Sequence, residues 1–135
     1  MALFNSIFTW VMKKRIHQIE LFQKYPYEVQ TELMEALVKK GSKTVYGLVH
    51  KFSEIRNFKS FQEQIPIQSY QDLFPYIDRI MHGEQNVLWP SEIKWFAKSS
   101  GTTNARSKFI PVSNEALQDC HIKGGKDLLS IYFNN

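Results

Sequence analysis

The sequence predicts an α/β fold that is rich in helix over its first 60 residues and brings short strands together only around one polar turn near residue 100. Three observations carry this reading. Apolar residues recur at helical spacing in the stretches 3–22, 29–37 and 73–80. Ile93-Lys94-Trp95-Phe96-Ala97 and Phe109-Ile110-Pro111-Val112 are short runs with the aromatic and β-branched character of strands. Between them, Ser99-Ser100-Gly101-Thr102-Thr103-Asn104-Ala105-Arg106-Ser107-Lys108 has turn chemistry and no apolar periodicity. The expected picture is a hydroxyl-rich turn pinned between two buried segments.

A chain of 135 residues, 43% of them hydrophobic, is long enough to bury one modest core. A net charge of +4 helps attract an anionic substrate, but the lysines and arginines form no dense basic run, so a nucleic-acid partner is not indicated. The single cysteine, Cys120, excludes an internal disulfide and fits a reducing compartment, so a cytoplasmic location is expected.

In chain order, residues 1–12 are apolar but too short to span a bilayer, and Lys13, Lys14 and Arg15 follow the run where a secretory signal would place charge before it. The expected structure is an amphipathic helix continuing through Ile16, Ile19 and Phe22; an interfacial helix is the alternative, and membrane attachment is disfavoured. Pro26 suits a first helical turn, Val29, Leu33, Ala36 and Leu37 form an apolar stripe, and Gly41 supplies a stop after Lys39 and Lys40. Val45, Leu48 and Val49 suggest a short helix weakened by Gly47. Ser60 with Glu63, and Ser69 with Asp72, have the spacing of helix-start capping boxes, separated by an extended Ile65-Pro66-Ile67 link. The second of these helices offers Leu73, Phe74, Ile77 and Ile80 to a core, must accommodate Pro75 in its first turns, and ends at Gly83. Beyond the turn, Ser113 caps a long helix containing Leu117, Cys120, His121, Leu128 and Ile131, with Gly124-Gly125 permitting a kink or close packing and Cys120 read as a buried small side chain.

Asp72, Asp78 and Glu84 are not brought together by their spacing, and Arg79 is expected to serve structure, pairing with Asp78 or Asp72 or contacting a remote part of the protein. His17 and His50 have no acidic or cysteine partners at ligand spacing, His82 before Gly83 and His121 beside Cys120 read as terminal-turn residues, and the cysteine and histidines make no closed four-ligand set, so no zinc site and no metal-ligating residues are expected. The chemistry concentrates in the turn. Ser99, Ser100, Thr102 and Thr103 offer four hydroxyl donors, Gly101 allows close approach, and Arg106 and Lys108 add positive charge. Backbone amides of such a turn can form an anion nest, although local chemistry alone leaves an ordinary surface hairpin equally open. A Walker-type loop is excluded because no second glycine precedes a Lys-Ser or Lys-Thr pair.

The run Trp95-Phe96-Ala97-Lys98-Ser99-Ser100-Gly101-Thr102-Thr103, followed by Ser107-Lys108-Phe109-Ile110-Pro111-Val112-Ser113, resembles the first nucleotide motif of the auxin-responsive-promoter family of acyl-acid amido synthetases. That family lies within the adenylate-forming superfamily, which includes acyl-CoA synthetases and firefly luciferase. The resemblance extends upstream through 66–73, 75–80 and 83–90 and, more loosely, through the helical amino-terminal part. It implies that residues 1–135 are the amino-terminal portion of an ATP-dependent adenylate-forming domain, with 1–60 a mainly helical packing region and 61–135 the region holding the phosphate-binding motif. It further implies activation of a carboxylic acid by ATP with Mg²⁺, then transfer of the acyl group to an amino acid amine. Ser99, Ser100, Gly101, Thr102, Thr103 and Lys108 would bind the ATP phosphates, and the catalytic residues remain unassigned.

One departure is Asn104, where family turns often carry glycine; asparagine tolerates left-handed backbone, so the turn can survive the change. Family members are several times longer, and 128–135 stays apolar to the end without a linker, which reads as a chain cut inside an element; a short complete chain is the alternative. The remainder of the same polypeptide is then the expected partner, and the isolated chain is expected to be inactive. The rival reading is a nonenzymatic protein-interaction module.

Overall fold

The computed structural model describes residues 2–100 and 107–134, with side chains described at Trp10, 14–100 and 107–133. The described elements are helices α1 (Ala2–Lys24), α2 (Pro26–Gly41), α3 (Val45–Val49), α4 (Phe58–Gln64) and α5 (Tyr70–Met81), strands β1 (Ile93–Lys98) and β2 (Phe109–Ser113), and helices α6 (Asn114–Ala116) and α7 (Lys123–Asn134). A 3₁₀ turn at Phe52–Glu54 follows α3, and a π-helical turn at Leu117–Ile122 joins α6 to α7. The chain divides into two compact units, Thr31–Asn114 and the segments on either side of it.

Within Thr31–Asn114, α2 buries Val38 and Gly41 and half-buries Met34, while Leu33 and Leu37 remain 57% and 46% exposed. The stripe expected from sequence is therefore not the buried face. The face that is buried ends at Gly41, and there the chain folds back on itself: a Cβ added at Gly47 would lie 2.0 Å from the Gly41 carbonyl oxygen. Gly47 is thus a packing requirement of α3 rather than a flaw in it. Buried Thr44 locks the same corner, its hydroxyl donating to the Gly41 carbonyl at 2.7 Å and accepting the Gly47 N–H at 3.0 Å as the cap of α3.

Helix α4 starts earlier than its Ser60/Glu63 spacing suggests. Asn57 is the cap: its side chain accepts the Ser60 N–H at 2.9 Å, and Ser60 accepts the Asn57 N–H at 3.1 Å. Ser60 is thus the reciprocating third residue of the box rather than its first. Helix α5 starts at the expected cap, with the Asp72 carboxylate accepting the Ser69 N–H at 2.7 Å and Ser69 accepting the Asp72 N–H at 3.3 Å. Pro75 is held inside α5, and the chain leaves the helix through Gly83, whose φ of +93° suits glycine.

The core of this unit joins Ile80 of α5, Val87 and Ile93 of β1, with Val45, Tyr76, Leu88, Trp89 and Phe96 packed around them. Asn86, at φ 58°, turns the preceding loop so that its carbonyl and that of Val87 accept the N–H groups of Val45 and Tyr46, each at 3.0 Å. Strands β1 and β2 pair antiparallel from Ile93 with Ser113 to Lys98 with Phe109, with an irregularity between Ile93 and Trp95. Their expected burial is only partly met: Ile93 and Ser113 are buried, but Trp95 is 65% exposed and Ile110 51%. The ribbon meets the core through its Ile93 end and through half-buried Phe96.

In the other unit, α1 and α7 pack together, and Arg15 forms a two-pronged ion pair with Asp127, its Nη2 donating to Oδ2 at 2.8 Å and its Nε to Oδ1. The buried point of α7 is Ser130, which is 1% exposed and donates to the Lys126 carbonyl at 2.7 Å. Leu128 and Ile131, one helical step around from Asp127 and Ser130, are 71% and 46% exposed. The expected long helix is present as a continuous helical run from Asn114, directly after Ser113. Its irregularity is the π turn before the glycine pair, and a Cβ added at Gly124 or Gly125 would meet open space beyond the helix's own backbone and chain neighbours. Cys120 lies on that π turn and is exposed, not buried as expected, because the widened turn faces solvent there. Among the described residues, no helix is long and apolar enough to cross a membrane.

Candidate functional site

The polar turn grows from the open end of the β1–β2 ribbon. Beyond the last strand pair, Lys98 with Phe109, the Ser99 N–H donates to the Lys108 carbonyl at 2.9 Å and the Lys108 N–H donates to the Ser99 hydroxyl at 3.0 Å. Ser99 and Lys108 therefore close the base of the turn. Because the Ser99 hydroxyl accepts this bond, its own proton remains able to donate to an anion above. Ser100 is exposed next to it. Of the six predicted phosphate-binding residues, the structure brings Ser99, Ser100 and Lys108 to one mouth, whereas Gly101, Thr102 and Thr103 lie outside the described residues, as do Asn104 and Arg106.

The amino-terminal end of α5 supports this mouth. The Tyr70 hydroxyl accepts the Phe109 N–H at 3.0 Å and donates to the Phe109 carbonyl at 3.2 Å. The Lys108 ammonium stands 5.3 Å from the centre of the Tyr70 ring, a cation–π distance. Tyr70, Gln71, Phe74, Met81, Ser107, Lys108 and Phe109 line an open cleft of about 590 Å³ beside the turn. Sequence reasoning passed over Tyr70. A signal existed in the Tyr70/Phe74 spacing, which places the two rings 5.9 Å apart on one helix face, but nothing local indicated a partner 39 residues away.

The nearby carboxylates hold structure. Hydrogen bonds from the Ser69 hydroxyl and N–H keep the Asp72 carboxyl below its ordinary range. Arg79 pairs with Glu84 at 2.7 and 2.5 Å, rather than with Asp78 or Asp72, because the Gly83 turn brings Glu84 back beside it; the same bonds lower the Glu84 pKa. His82 ends α5 with Nδ1 2.8 Å from the Asp78 carbonyl oxygen. No three histidine, cysteine or acidic side chains among the described residues are grouped to hold a metal ion. The described mouth thus presents hydroxyl and cationic groups without a metal-binding carboxylate set, a composition suited to phosphate oxygens.

The model of the GH3 family N-terminal domain matches residues 15–135, nearly the whole chain and the complete turn region. The chain belongs to the GH3 family. A 4-substituted benzoates–glutamate ligase of Arabidopsis thaliana is 33% identical over 95 residues, covering 67% of this chain and 16% of the ligase. A jasmonoyl-L-amino acid synthetase of Nicotiana attenuata is 32% identical over 108 residues, covering 76% of this chain and 18% of the synthetase. The solved structure of the AtGH3.15 acyl acid amido synthetase in complex with 2,4-DB superposes with a TM-score of 0.81 at 23% identity, over 91% of this chain and 21% of that one. The helix-rich α/β fold is that of the amino-terminal portion of the GH3 fold. The chain thus spans about a fifth or less of the GH3 relatives it matches.

Proposed function

We propose that this chain supplies the ATP-phosphate turn of an ATP-dependent acyl-acid amido synthetase, as the amino-terminal portion of an adenylate-forming domain. The observation that carries the reading is the closed base of the turn: Ser99 and Lys108 are bonded to each other, and Ser99, Ser100 and Lys108 meet at the mouth of a ribbon anchored in the core. In the reaction, a carboxylate oxygen of the acid attacks the α-phosphorus of ATP and pyrophosphate leaves. The amine of an amino acid then attacks the acyl carbonyl, loses a proton, and releases AMP.

The turn's part is to bind and orient the polyphosphate. Hydroxyls of Ser99, Ser100, Thr102 and Thr103 donate to its oxygens, Gly101 lets the backbone approach, and Lys108 offsets charge that builds on the departing pyrophosphate. Mg²⁺ bound with the ATP would supply further charge neutralisation on the polyphosphate, and the hydroxyls of the turn would orient the phosphate oxygens beside it. The carboxylic acid and amino acid are the substrates of the complete enzyme, and the cytoplasm, where ATP is abundant, is its proposed location.

The test replaces the corresponding amino-terminal segment of the Arabidopsis benzoate–glutamate ligase with this chain and measures carboxylate-dependent ATP–pyrophosphate exchange. The reading expects exchange in the hybrid, a large loss in Ser99→Ala/Ser100→Ala, and none from the 135-residue chain alone. Full activity in the double variant would remove the turn from the mechanism.

A further inference from the structure

We infer that Tyr70 is a positioning residue for the phosphate turn, holding the backbone at Phe109 through its hydroxyl and the Lys108 ammonium over its ring. The inference rests on the phosphate-binding reading and names a residue outside the turn that the reading does not require.

A two-stranded ribbon is marginally stable by itself. At its turn end, the Lys108 carbonyl faces β1 and accepts the Ser99 N–H, so the polar groups of the next residue, Phe109, face away from β1. Those two groups would otherwise form a bare strand edge. The Tyr70 phenol takes both, accepting from the N–H at 3.0 Å and donating to the carbonyl at 3.2 Å. One oxygen thereby substitutes for a neighbouring strand, which only a group that both donates and accepts can do.

Tyr70 is itself well placed to serve as a fixed point. It is the first residue of α5, directly after the reciprocal Ser69/Asp72 cap, and the same helix is anchored further along by buried Ile77 and Ile80. From that position its ring reaches the Lys108 ammonium at 5.3 Å while its hydroxyl fixes the adjacent peptide. Oxyanion binding depends on donors set within fractions of an ångström before the ligand arrives. A residue that fixes Lys108 and the base of the turn therefore acts on affinity through geometry, without touching the phosphate.

The test titrates the 135-residue chain with magnesium pyrophosphate and follows the backbone amide signals of Ser99 and Lys108, alongside the thermal midpoint of each variant. Tyr70→Phe keeps the ring beneath Lys108 and removes only the hydroxyl. Tyr46→Phe is the control, because that hydroxyl donates to Gln68 at 2.7 Å and serves structure elsewhere in the unit. The expected result is binding weakened about tenfold in Tyr70→Phe, roughly the worth of one or two ordinary hydrogen bonds, with affinity unchanged in Tyr46→Phe. Equal affinity in Tyr70→Phe and wild type, with Ser100→Ala weakened, overturns the inference and leaves the phosphate reading standing. Equal weakening in Tyr70→Phe and Tyr46→Phe also overturns it, because the effect is then general destabilisation. Absence of pyrophosphate binding by the wild-type chain, or full binding by Ser99→Ala/Ser100→Ala, overturns the phosphate reading and this inference with it.

Discussion

The two compact units of this chain are stabilised in different ways. In Thr31–Asn114, a local lock, in which Thr44 ties Gly41 to Gly47, is joined by links between groups far apart in sequence: the Asn86 and Val87 carbonyls bind the start of α3, and Tyr70 binds Phe109 across 39 residues. In the unit of α1 and α7, the Arg15–Asp127 pair links the two helices, and Leu128, Tyr132 and Phe133 remain 71%, 74% and 59% exposed. The first arrangement fixes positions and the second chiefly holds two helices in contact. The proposed phosphate turn has its described base, Ser99 and Lys108, in the first of these units.

Substitutions can break or sharpen that contrast. The largest effect is expected at Gly47, where alanine would place Cβ 2.0 Å from the Gly41 oxygen; Gly47→Ala should cost about 3 kcal/mol or more in denaturant unfolding. A loss below about 1 kcal/mol would mean that this corner is not tightly closed. Next, Ile80→Ala removes a side chain only 3% exposed from the core and should cost about 2–4 kcal/mol by the same measurement. Asn57→Ala should cost about 1 kcal/mol as a lost helix cap, and a smaller effect there than at Glu63→Ala would restore the start expected from sequence.

In the helix-pair unit, the Arg15 guanidinium holds the Asp127 carboxyl below its ordinary value of 3.8. Because the folded pKa is the depressed one, the stabilisation is fully present above 3.8 and fades as pH falls through the folded value. Asp127→Asn should therefore cost about 1 kcal/mol at neutral pH, with the gap from wild type closing in unfolding curves taken below pH 3.8. Leu128→Gln should change stability least, within about 0.5 kcal/mol, because the side chain is already in solvent.

Sequence revealed the parts of this fold whose causes are local. Pro26, the Ser69/Asp72 cap, the Gly83 stop and the strands on both sides of the turn each follow from chemistry within a few residues. It missed what depends on the return of the chain. Leu33 and Leu37 looked like the inner stripe of α2 because periodicity marks an apolar face without saying what covers it. Ser60 passed for a cap because Asn57 and Ser60 are both good capping residues and only the backbone decides which stands first. Arg79 found Glu84 through a positive-φ glycine that spacing cannot place in three dimensions. At the site, residue type and order marked Ser99, Ser100 and Lys108, whereas the support given by Tyr70 rests on a contact visible only in the fold.

The central claim is that the base of the turn is a phosphate cradle, and a pyrophosphate titration of the isotope-labelled chain followed by amide shifts tests it most directly. The account predicts saturable shifts centred on Ser99, Ser100 and Lys108 and extending to Phe109, abolished in the Ser99→Ala/Ser100→Ala variant. Shifts confined to lysines away from the turn, or identical titrations for wild type and variant, would contradict it.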